Sequence, residues 1–273
     1  MAYRLVASDL DGTLLRNDQT LSRENSAAIA EMTARGVHFA VSTGRTYGEI
    51  PDSLRKNDGI RWFICSDGGL IYDKQEDRRY TTCMEGDLLK RVLDTLFDSG
   101  CFFTAHFNGV SYYDGSRMMP EELRRNNVSP YFQQLVSQCD QPAPRDFRSF
   151  CYAMDGIEQI TAFFSSDALL QRCRQTLLDT GLVETAWSNP CYMEIYHADA
   201  GKGRGLARLA QILGIDLRQT IAIGDTANDS SILQAAGLGL ATDNAKAALK
   251  AIADAVICSN EEHVAAYVLD HYL

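Results

Sequence analysis

Two aspartates near the start of the chain, Asp9 and Asp11, are the residues best suited to chemistry. They follow the apolar segment Tyr3–Ala7 and lead into a turn at Gly12. Side chains two residues apart on a strand point the same way, so the two carboxylates would converge on one point. Such convergence requires a bound cation or a shared proton. The pattern therefore indicates a metal or acid–base site at the end of a strand.

The same two aspartates could also belong to a simple turn or to a calcium-binding loop. Aspartate and glycine are common turn residues, so the segment could be a turn without chemistry. A calcium-binding EF-hand loop is excluded because Asp9 follows a strand-like segment rather than a helix. In addition, no glutamate stands at the twelfth position of such a loop. The turn and the reactive site remain as alternatives.

Three further polar segments follow a predicted strand or open a predicted helix. They are Thr43-Gly44-Arg45, Lys202, and the group Asp225, Asn228 and Asp229. The C-terminal ends of parallel strands lie along one edge of a sheet, where we expect Asp9, Thr43 and Asp225 to meet. Four carboxylates at one edge predict a divalent cation, and Mg²⁺ suits a site of few carboxylates plus a substrate phosphate. The Thr43 hydroxyl, N–H groups near Gly44 and the Lys202 ammonium would suit phosphoryl oxygens.

Each of these segments, taken alone, also fits an ordinary structural role. Thr43 could cap a helix, Lys202 could be a solvated loop lysine, and the segment 224–229 could cap the helix that follows. Lys202 is not a phosphate-loop lysine, because the glycine and hydroxyl residues of that motif are absent around it. His38 and the aromatic residues of the middle segment are typical of packing. The joint occurrence of the polar segments in this order favours chemistry.

Composition limits the class of protein. The chain has 273 residues, 45% of them hydrophobic and 23% charged, as expected for one or two globular domains. A net charge of −10 argues against nucleic-acid and anionic-membrane partners. No signal peptide or apolar stretch of ~20 residues is visible. The eight cysteines are scattered, which favours reduced thiols. We expect a cytoplasmic protein, and its oligomeric state is not predictable.

The predicted elements indicate an α/β fold with a Rossmann-like parallel-sheet core and an inserted α+β cap domain. Residues 1–84 and 190–273 would form the core, and residues 85–189 the cap. Predicted helices span Arg23–Arg35 (capped by Ser22), 46–56, 86–98, 167–180 and 203–213. Asn108-Gly109 predicts a hairpin in the insert, and later strands are expected near 182–187 and 192–196.

The motifs resemble those of the haloacid dehalogenase-like superfamily, in particular its Cof-type phosphatases with a large α/β cap. Asp9-Leu10-Asp11-Gly12-Thr13 is similar to the first motif of that family and Ser42-Thr43-Gly44-Arg45 to the second. Lys202-Gly203 is similar to the third, and the segment from Gly224 through Asp229 to the fourth. The resemblance covers nearly the whole chain.

The resemblance implies a role for each site residue. Asp9 would be the nucleophile that forms an aspartyl-phosphate, and Asp11 the general acid and base. Mg²⁺ would be held by Asp9, the backbone carbonyl of Asp11, and Asp225. The phosphate would be held by Thr43, Lys202, Asn228 and the N–H groups of Leu10 and Gly44, with Asp229 in support.

The predicted function is a Mg²⁺-dependent phosphatase for a small phosphorylated metabolite, with a sugar phosphate as the expected substrate. A phosphosugar mutase of similar architecture and a non-catalytic phosphometabolite-binding regulator are alternatives. Three positions depart from the family pattern: Asp67 replaces the usual asparagine, Thr242 the frequent methionine, and Asp243 the usual glycine. These departures leave the particular substrate open, because they would alter the charge and shape of the pocket.

Overall fold

The computed structural model describes residues 2–186 and 190–273, which divide into two compact units. The first unit comprises the residues up to Gly44, Ile50–Tyr80 and Gly201–Leu273, and the second comprises Arg45–Glu49 and Thr81–Ala200. The division therefore falls at 80/81 and 200/201 rather than at the predicted 84/85 and 189/190. The predicted cap end at 189 and the last residue of the predicted strand 182–187 lie outside the described residues.

Short strands make up two large sheets and one small ladder. The strands are β1 Leu5–Ser8, β2 His38–Ser42, β3 Trp62–Cys65, β4 Leu70–Asp73, β5 Arg78–Thr81, β6 Met84–Glu85, β7 Phe102–Phe107, β8 Val110–Tyr113, β9 Gln141–Pro142, β10 Gly156–Ile157, β11 Gln159–Phe163, β12 Val183–Ala186, β13 Tyr192–His197, β14 Thr220–Gly224, β15 Leu238–Ala241 and β16 Ala255–Val256.

Helices connect and cover these strands. They are α1 Arg23–Ala34, α2 Asp52–Arg55, α3 Gly86–Ser99, α4 Pro120–Arg125, α5 Pro130–Cys139, α6 Phe147–Tyr152, α7 Asp167–Leu178, α8 Lys202–Leu213, α9 Ser230–Ala235, α10 Ala247–Lys250 and α11 Val264–Tyr272. None of the described helices is long and apolar enough to cross a membrane.

The first unit contains a sheet with the strand order β16-β15-β14-β1-β2-β3-β4-β5. The pairings from β16 to β3 are parallel, and β1 lies between β14 and β2. These strands are short and nearly continuously apolar because helices cover both faces of a parallel sheet. The α/β class and parallel core predicted from the sequence are confirmed.

Helix termini in the first unit follow local sequence signals. The Ser22 hydroxyl accepts a hydrogen bond from the Asn25 N–H at 3.1 Å, which caps α1. Gly214 ends α8 in the left-handed conformation at φ +65°. The predicted helices 23–35 and 203–213 correspond to α1 and α8, with ends within one residue of the prediction.

The prediction of one helix over residues 46–56 is wrong. The structure has a single helical turn at Tyr47–Glu49 and the short helix α2, separated at Pro51. Pro51 has no N–H to donate, so it starts a helix more readily than it continues one. The antiparallel pairing of β3 with β4 was not predicted either, because a parallel α/β rhythm was expected up to residue 83.

The second unit contains a largely antiparallel sheet with the order β12-β13-β11-β7-β8-β9. One face of this sheet packs with α3, α6 and α7 around a core that includes Phe103, Ile160 and Ile195. The β7–β8 hairpin turns at Asn108 and Gly109, which have φ values of +52° and +75°. The hairpin predicted from Asn-Gly is therefore present, and the second unit is α+β as expected.

Candidate active site

Three neighbouring strands of the first unit end in predicted site residues. Asp9 follows β1, Thr43 follows β2 and Asp225 follows β14. Ser8 at the end of β1 pairs with Ile223 of β14 and also with Val41 of β2. The parallel register therefore brings these strand ends to the same edge of the sheet, where open α/β sheets bind ligands.

The loop after β1 is shaped by Gly12. Its φ of +77° favours glycine, and a Cβ at this position would lie only 2.5 Å from Asp225 Oδ2. The Asn244 side chain donates a hydrogen bond to the Gly12 carbonyl at 2.7 Å. Thr13 Oγ1 donates to Asp225 Oδ1 at 3.4 Å. The loop thus lies directly against the Asp225 carboxylate, and this close approach requires glycine.

Lys202 is the first residue of α8, and its side chain is almost fully buried. Its ammonium lies 2.6 Å from Asp9 Oδ1 and 2.6 Å from Asp229 Oδ1. A buried ammonium requires such partners, because burial alone disfavours its charged form. Burial opposes the charge of Lys202, but Asp229 and Asp9 outweigh it, so the pKa of Lys202 is raised well above its usual value.

Both oxygens of Asp229 are committed to hydrogen bonds. Oδ1 accepts from Lys202, and Oδ2 accepts from the N–H groups of Asp225 and Thr226 at 3.0 and 3.1 Å. These contacts tie the loop after β14 to the lysine. Asp229 is therefore arranged to orient Lys202 and the loop.

Asp9, Asp225 and Asp229 form a carboxylate cluster. Each offers an oxygen within 4.8 Å of the others, and no similar group of three or more ligands occurs elsewhere in the described residues. Burial and the Asp229 charge raise the pKa of Asp9 well above its usual value, although Lys202 opposes the shift. Burial, followed by the Asp229 charge, raises the pKa of Asp225 to about 6. Three carboxylates thus share one ammonium, and negative charge is in excess.

The carboxylate cluster fits a hard divalent cation. Its donors are carboxylate oxygens, the ligands that Mg²⁺ prefers, and a second positive charge would offset the remaining repulsion. Asp229 is saturated by three donors, whereas Asp9 and Asp225 each form one side-chain hydrogen bond among the described residues. Asp9 and Asp225 are therefore the side chains best able to bind the ion.

The other predicted residues lie at different positions relative to the cluster. Asp11 is outside the group of three, but its charge contributes to the raised pKa of Asp225. Leu10 is fully buried in the loop after β1. Thr43 is buried at the end of β2 with Gly44 next to it, and its N–H donates to the Ile64 carbonyl at 2.8 Å. Asn228 Oδ1 accepts from Thr226 Oγ1 at 2.6 Å, a contact within its own loop.

Arg45, which sequence analysis grouped with Thr43 and Gly44, belongs to the second unit. Its guanidinium donates to the Tyr131 hydroxyl at 3.0 Å and to the Glu49 carbonyl at 3.1 Å. The division between the units therefore falls within the second motif, directly after Gly44.

Two contributors to the site were not assigned a role from the sequence. Thr13 hydrogen-bonds to Asp225, and the only sequence signal was its place directly after Gly12. Asp67 is buried at φ +47°, and its carbonyl accepts from the Gly201 N–H at 2.5 Å. Its charge also contributes to the raised pKa of Lys202. Asp67, a departure from the family pattern, thus helps to place the start of α8.

The other two departures have different environments. Thr242 is buried and its N–H donates to the Gly224 carbonyl at 3.1 Å, so it lies beside the strand that carries Asp225. Asp243 is exposed and forms an ion pair with Lys250 at 3.0 Å. Thr242 therefore packs next to the site, whereas the Asp243 carboxylate is paired at the surface.

Comparison with known proteins agrees with this geometry. The sequence model of the haloacid dehalogenase-like hydrolase family matches residues 6–269 of this chain. Phosphatase YwpJ of Bacillus subtilis (strain 168) is 30% identical over 297 aligned residues, which cover 99% of this chain and 100% of that protein. The 5-amino-6-(5-phospho-D-ribitylamino)uracil phosphatase YwtE of the same organism is also 30% identical, covering 99% of this chain and 98% of that protein.

A solved structure shows the same fold. The haloacid dehalogenase-like hydrolase from B. subtilis superimposes with a TM-score of 0.81 at 29% identity, covering 99% of this chain and 100% of that chain. The chain belongs to the haloacid dehalogenase-like hydrolase family, in its Cof-type branch. It is a phosphatase, which confirms the family resemblance and the class of enzyme predicted from the sequence.

Proposed function

We propose that this phosphatase requires Mg²⁺ and hydrolyses small phosphate monoesters, sugar phosphates among them, through a phosphoryl group carried on Asp9. The observation that carries this proposal is the buried Lys202 ammonium, 2.6 Å from Asp9 Oδ1. A carboxylate and a phosphate dianion repel each other, so a nucleophilic carboxylate needs positive charge at the point of attack. Lys202 supplies one such charge.

The reaction would have two steps. In the first, an oxygen of Asp9 attacks phosphorus, the bond to the ester oxygen breaks, and Asp11 gives that oxygen a proton. In the second, Asp11 takes a proton from water, whose oxygen attacks the same phosphorus and releases inorganic phosphate and the Asp9 carboxylate. The Asp11 side chain lies outside the carboxylate cluster, which suits a proton carrier better than a metal ligand.

Other residues would bind and orient the phosphate. Lys202, the Thr43 hydroxyl, the Asn228 side chain and the N–H groups of Leu10 and Gly44 would hold its oxygens, while Asp229 keeps Lys202 in place. The cation would be held by Asp9, Asp225 and the Asp11 backbone carbonyl. When bound, Mg²⁺ supplies positive charge that stabilises the transferring phosphoryl group.

The substrate class and its recognition belong to the same proposal. One relative is named for a phosphoribityl compound, a phosphate ester on a polyhydroxylated chain. We assign substrate specificity to the second unit, which corresponds to the cap predicted from the sequence. A cytoplasmic location remains a prediction from the sequence.

The test is the substitution Asp9→Asn, measured by phosphate release from a hexose phosphate with Mg²⁺ present. We expect turnover to fall by about 1000-fold or more, because an amide is a far weaker nucleophile. The matched control is Asp58→Asn, which changes an exposed aspartate of the same unit and should leave turnover unchanged. Activity of Asp9→Asn within tenfold of wild type would refute the proposal, and an isomeric sugar phosphate as the main product would indicate a mutase.

A further inference from the structure

The turn Arg45–Glu49 directly follows Gly44 in the chain but packs within the second unit. The Gly48 N–H donates a hydrogen bond to the Gly109 carbonyl in the β7–β8 hairpin at 2.9 Å. Residues Tyr47–Glu49 also contact β8 and α5. A five-residue segment that begins with the last residue of the second motif is therefore held by the Gly48 backbone hydrogen bond, by packing and by its side chains.

The buried Glu49 side chain hydrogen-bonds to Thr46 within the same turn. Its side chain is only 7% exposed, and Oε2 accepts hydrogen bonds from Thr46 N–H at 2.5 Å and Thr46 Oγ1 at 2.8 Å. Asp140, just after α5, is equally buried, and its carboxyl lies close enough to Glu49 for the Glu49 charge to act on it. Asp140 Oδ2 accepts from the Ser111 hydroxyl at 2.8 Å, whereas Oδ1 has no hydrogen-bond donor among the described residues.

Two buried carboxyl groups close together, here the carboxyl pair Glu49 and Asp140, repel each other when both are ionised without a compensating charge. No lysine or arginine forms an ion pair with either group in the described part of the chain. A proton on one carboxyl would give the donor that Asp140 Oδ1 lacks, and it would remove the repulsion. Burial, and next the Glu49 charge, raise the pKa of Asp140 to about 8, with the Ser111 hydrogen bond opposing.

The surrounding titratable groups do not replace this proton. His106 on β7 is buried, and burial lowers its pKa although the Glu49 charge opposes the shift, so the ring is neutral near pH 7. Glu158, before β11, accepts from the Gly109 N–H at 3.2 Å and adds negative charge. Arg45 directs its guanidinium to Tyr131 and to the Glu49 carbonyl oxygen.

We propose that one proton shared by Glu49 and Asp140 fastens the turn Arg45–Glu49 to β8 and α5, so that its attachment depends on pH. When the turn is detached, Asp140 faces water and its pKa returns toward the ordinary value of about 4. The attached state keeps its proton to higher pH, so attachment weakens as pH rises from about 4 to about 8 and then becomes constant. This inference does not depend on the reaction proposed above.

Hydrogen exchange of the Gly48 amide in the full-length protein tests the proposal directly, because this amide bonds to the Gly109 carbonyl. Protection factors would be measured from pH 5 to pH 9 and corrected for intrinsic exchange. We expect wild-type protection to fall by at least about tenfold between pH 5 and pH 8. Asp140→Asn should show less than about a twofold change, because the amide donates to Glu49 at every pH.

A control and a second variant keep the test decisive. Asp155→Asn changes an exposed aspartate of the second unit and should reproduce the wild-type dependence. Glu49→Gln keeps an acceptor for Thr46 and gains an N–H donor toward Asp140, so it should also remove the pH dependence of protection. This variant replaces Asp140→Asn in the test if Asp140→Asn does not fold. A pH-independent wild type, or a slope that persists in a folded variant, would overturn the proposal.

Discussion

Two groups of buried carboxyls in this protein balance their charge in different ways. In the first unit, the carboxylate cluster of Asp9, Asp225 and Asp229 contacts the Lys202 ammonium. In the second unit, no lysine or arginine forms an ion pair with the carboxyl pair Glu49 and Asp140 among the described residues, and the proposed shared proton would offset its charge. The Lys202 ammonium opposes the rise in the pKa of Asp9 without neutralising its carboxylate, whereas a shared proton would remove one charge of the carboxyl pair. We therefore assign chemistry to the carboxylate cluster and attachment of the turn Arg45–Glu49 to the carboxyl pair.

Removing the Lys202 ammonium should have the largest effect on the carboxylate cluster. Lys202→Met leaves the buried carboxylates without their ammonium, so turnover should fall by about 1000-fold and the free energy of unfolding by about 3–5 kcal/mol. Phosphate release and urea denaturation measure the two effects. Lys90→Met, at an exposed position, is the matched control and should change neither. A Lys202→Met protein with wild-type stability would show that the ammonium does not balance the cluster.

Removing the metal, or one of its proposed ligands, tests the excess negative charge of the cluster. A chelator should abolish turnover, and added Mg²⁺ should restore it. Asp225→Asn should raise the Mg²⁺ concentration needed for half-maximal activity by about 100-fold, since one charged ligand is lost. Asp58→Asn should leave that concentration unchanged. Full activity in the presence of the chelator would contradict the assignment of Mg²⁺.

Gly12 and Gly36 form a matched pair that separates crowding from backbone strain. Both have positive φ, +77° and +81°, but only at Gly12 would a Cβ meet Asp225, whereas nothing lies within 4 Å at Gly36. Each alanine variant should lose about 1 kcal/mol of unfolding free energy from the left-handed backbone. Only Gly12→Ala should also lose about tenfold or more in turnover. Equal turnover in the two variants would show that contact with Asp225 has no effect on catalysis.

The pH dependence of stability tests whether the carboxyl pair holds a proton in the folded state. The pKa of Asp140 is raised to about 8, so the folded state binds a proton more tightly than the unfolded chain. Its stabilising contribution is complete below about pH 4 and is lost as pH rises toward 8. Between pH 5 and pH 8, wild type should therefore lose about 2 kcal/mol relative to Asp140→Asn, measured by urea denaturation. Parallel stability curves for the two proteins would exclude this contribution.

Most of the strands and turns that position the site could be predicted from local sequence. Apolar strands followed by Asp9, Thr43 and Asp225 indicate a parallel edge, because each strand and the loop after it are adjacent in the chain. The Ser22 cap and the Asn-Gly hairpin turn are equally local signals.

Contacts between distant segments could not be predicted from local sequence signals. The closeness of Glu49 to Asp140 involves residues from separate elements, and the carbonyl of Asp67 meets the N–H of Gly201 across the fold. Residues 46–56 were predicted as one helix because their composition permits it. Tertiary packing instead holds Tyr47–Glu49 against β8 and α5, and Pro51 separates that turn from α2.

Nucleophilic catalysis by Asp9 is tested most directly by detecting the phosphoryl group on that residue. The enzyme would be mixed with a hexose phosphate and Mg²⁺, quenched during turnover and treated with borohydride, which reduces an acyl phosphate to an alcohol. Peptide mass spectrometry should then find homoserine at position 9 in wild type, and unmodified residues at Asp11 and Asp225. Turnover without any reduction at position 9, or with reduction at another aspartate, would contradict nucleophilic catalysis by Asp9.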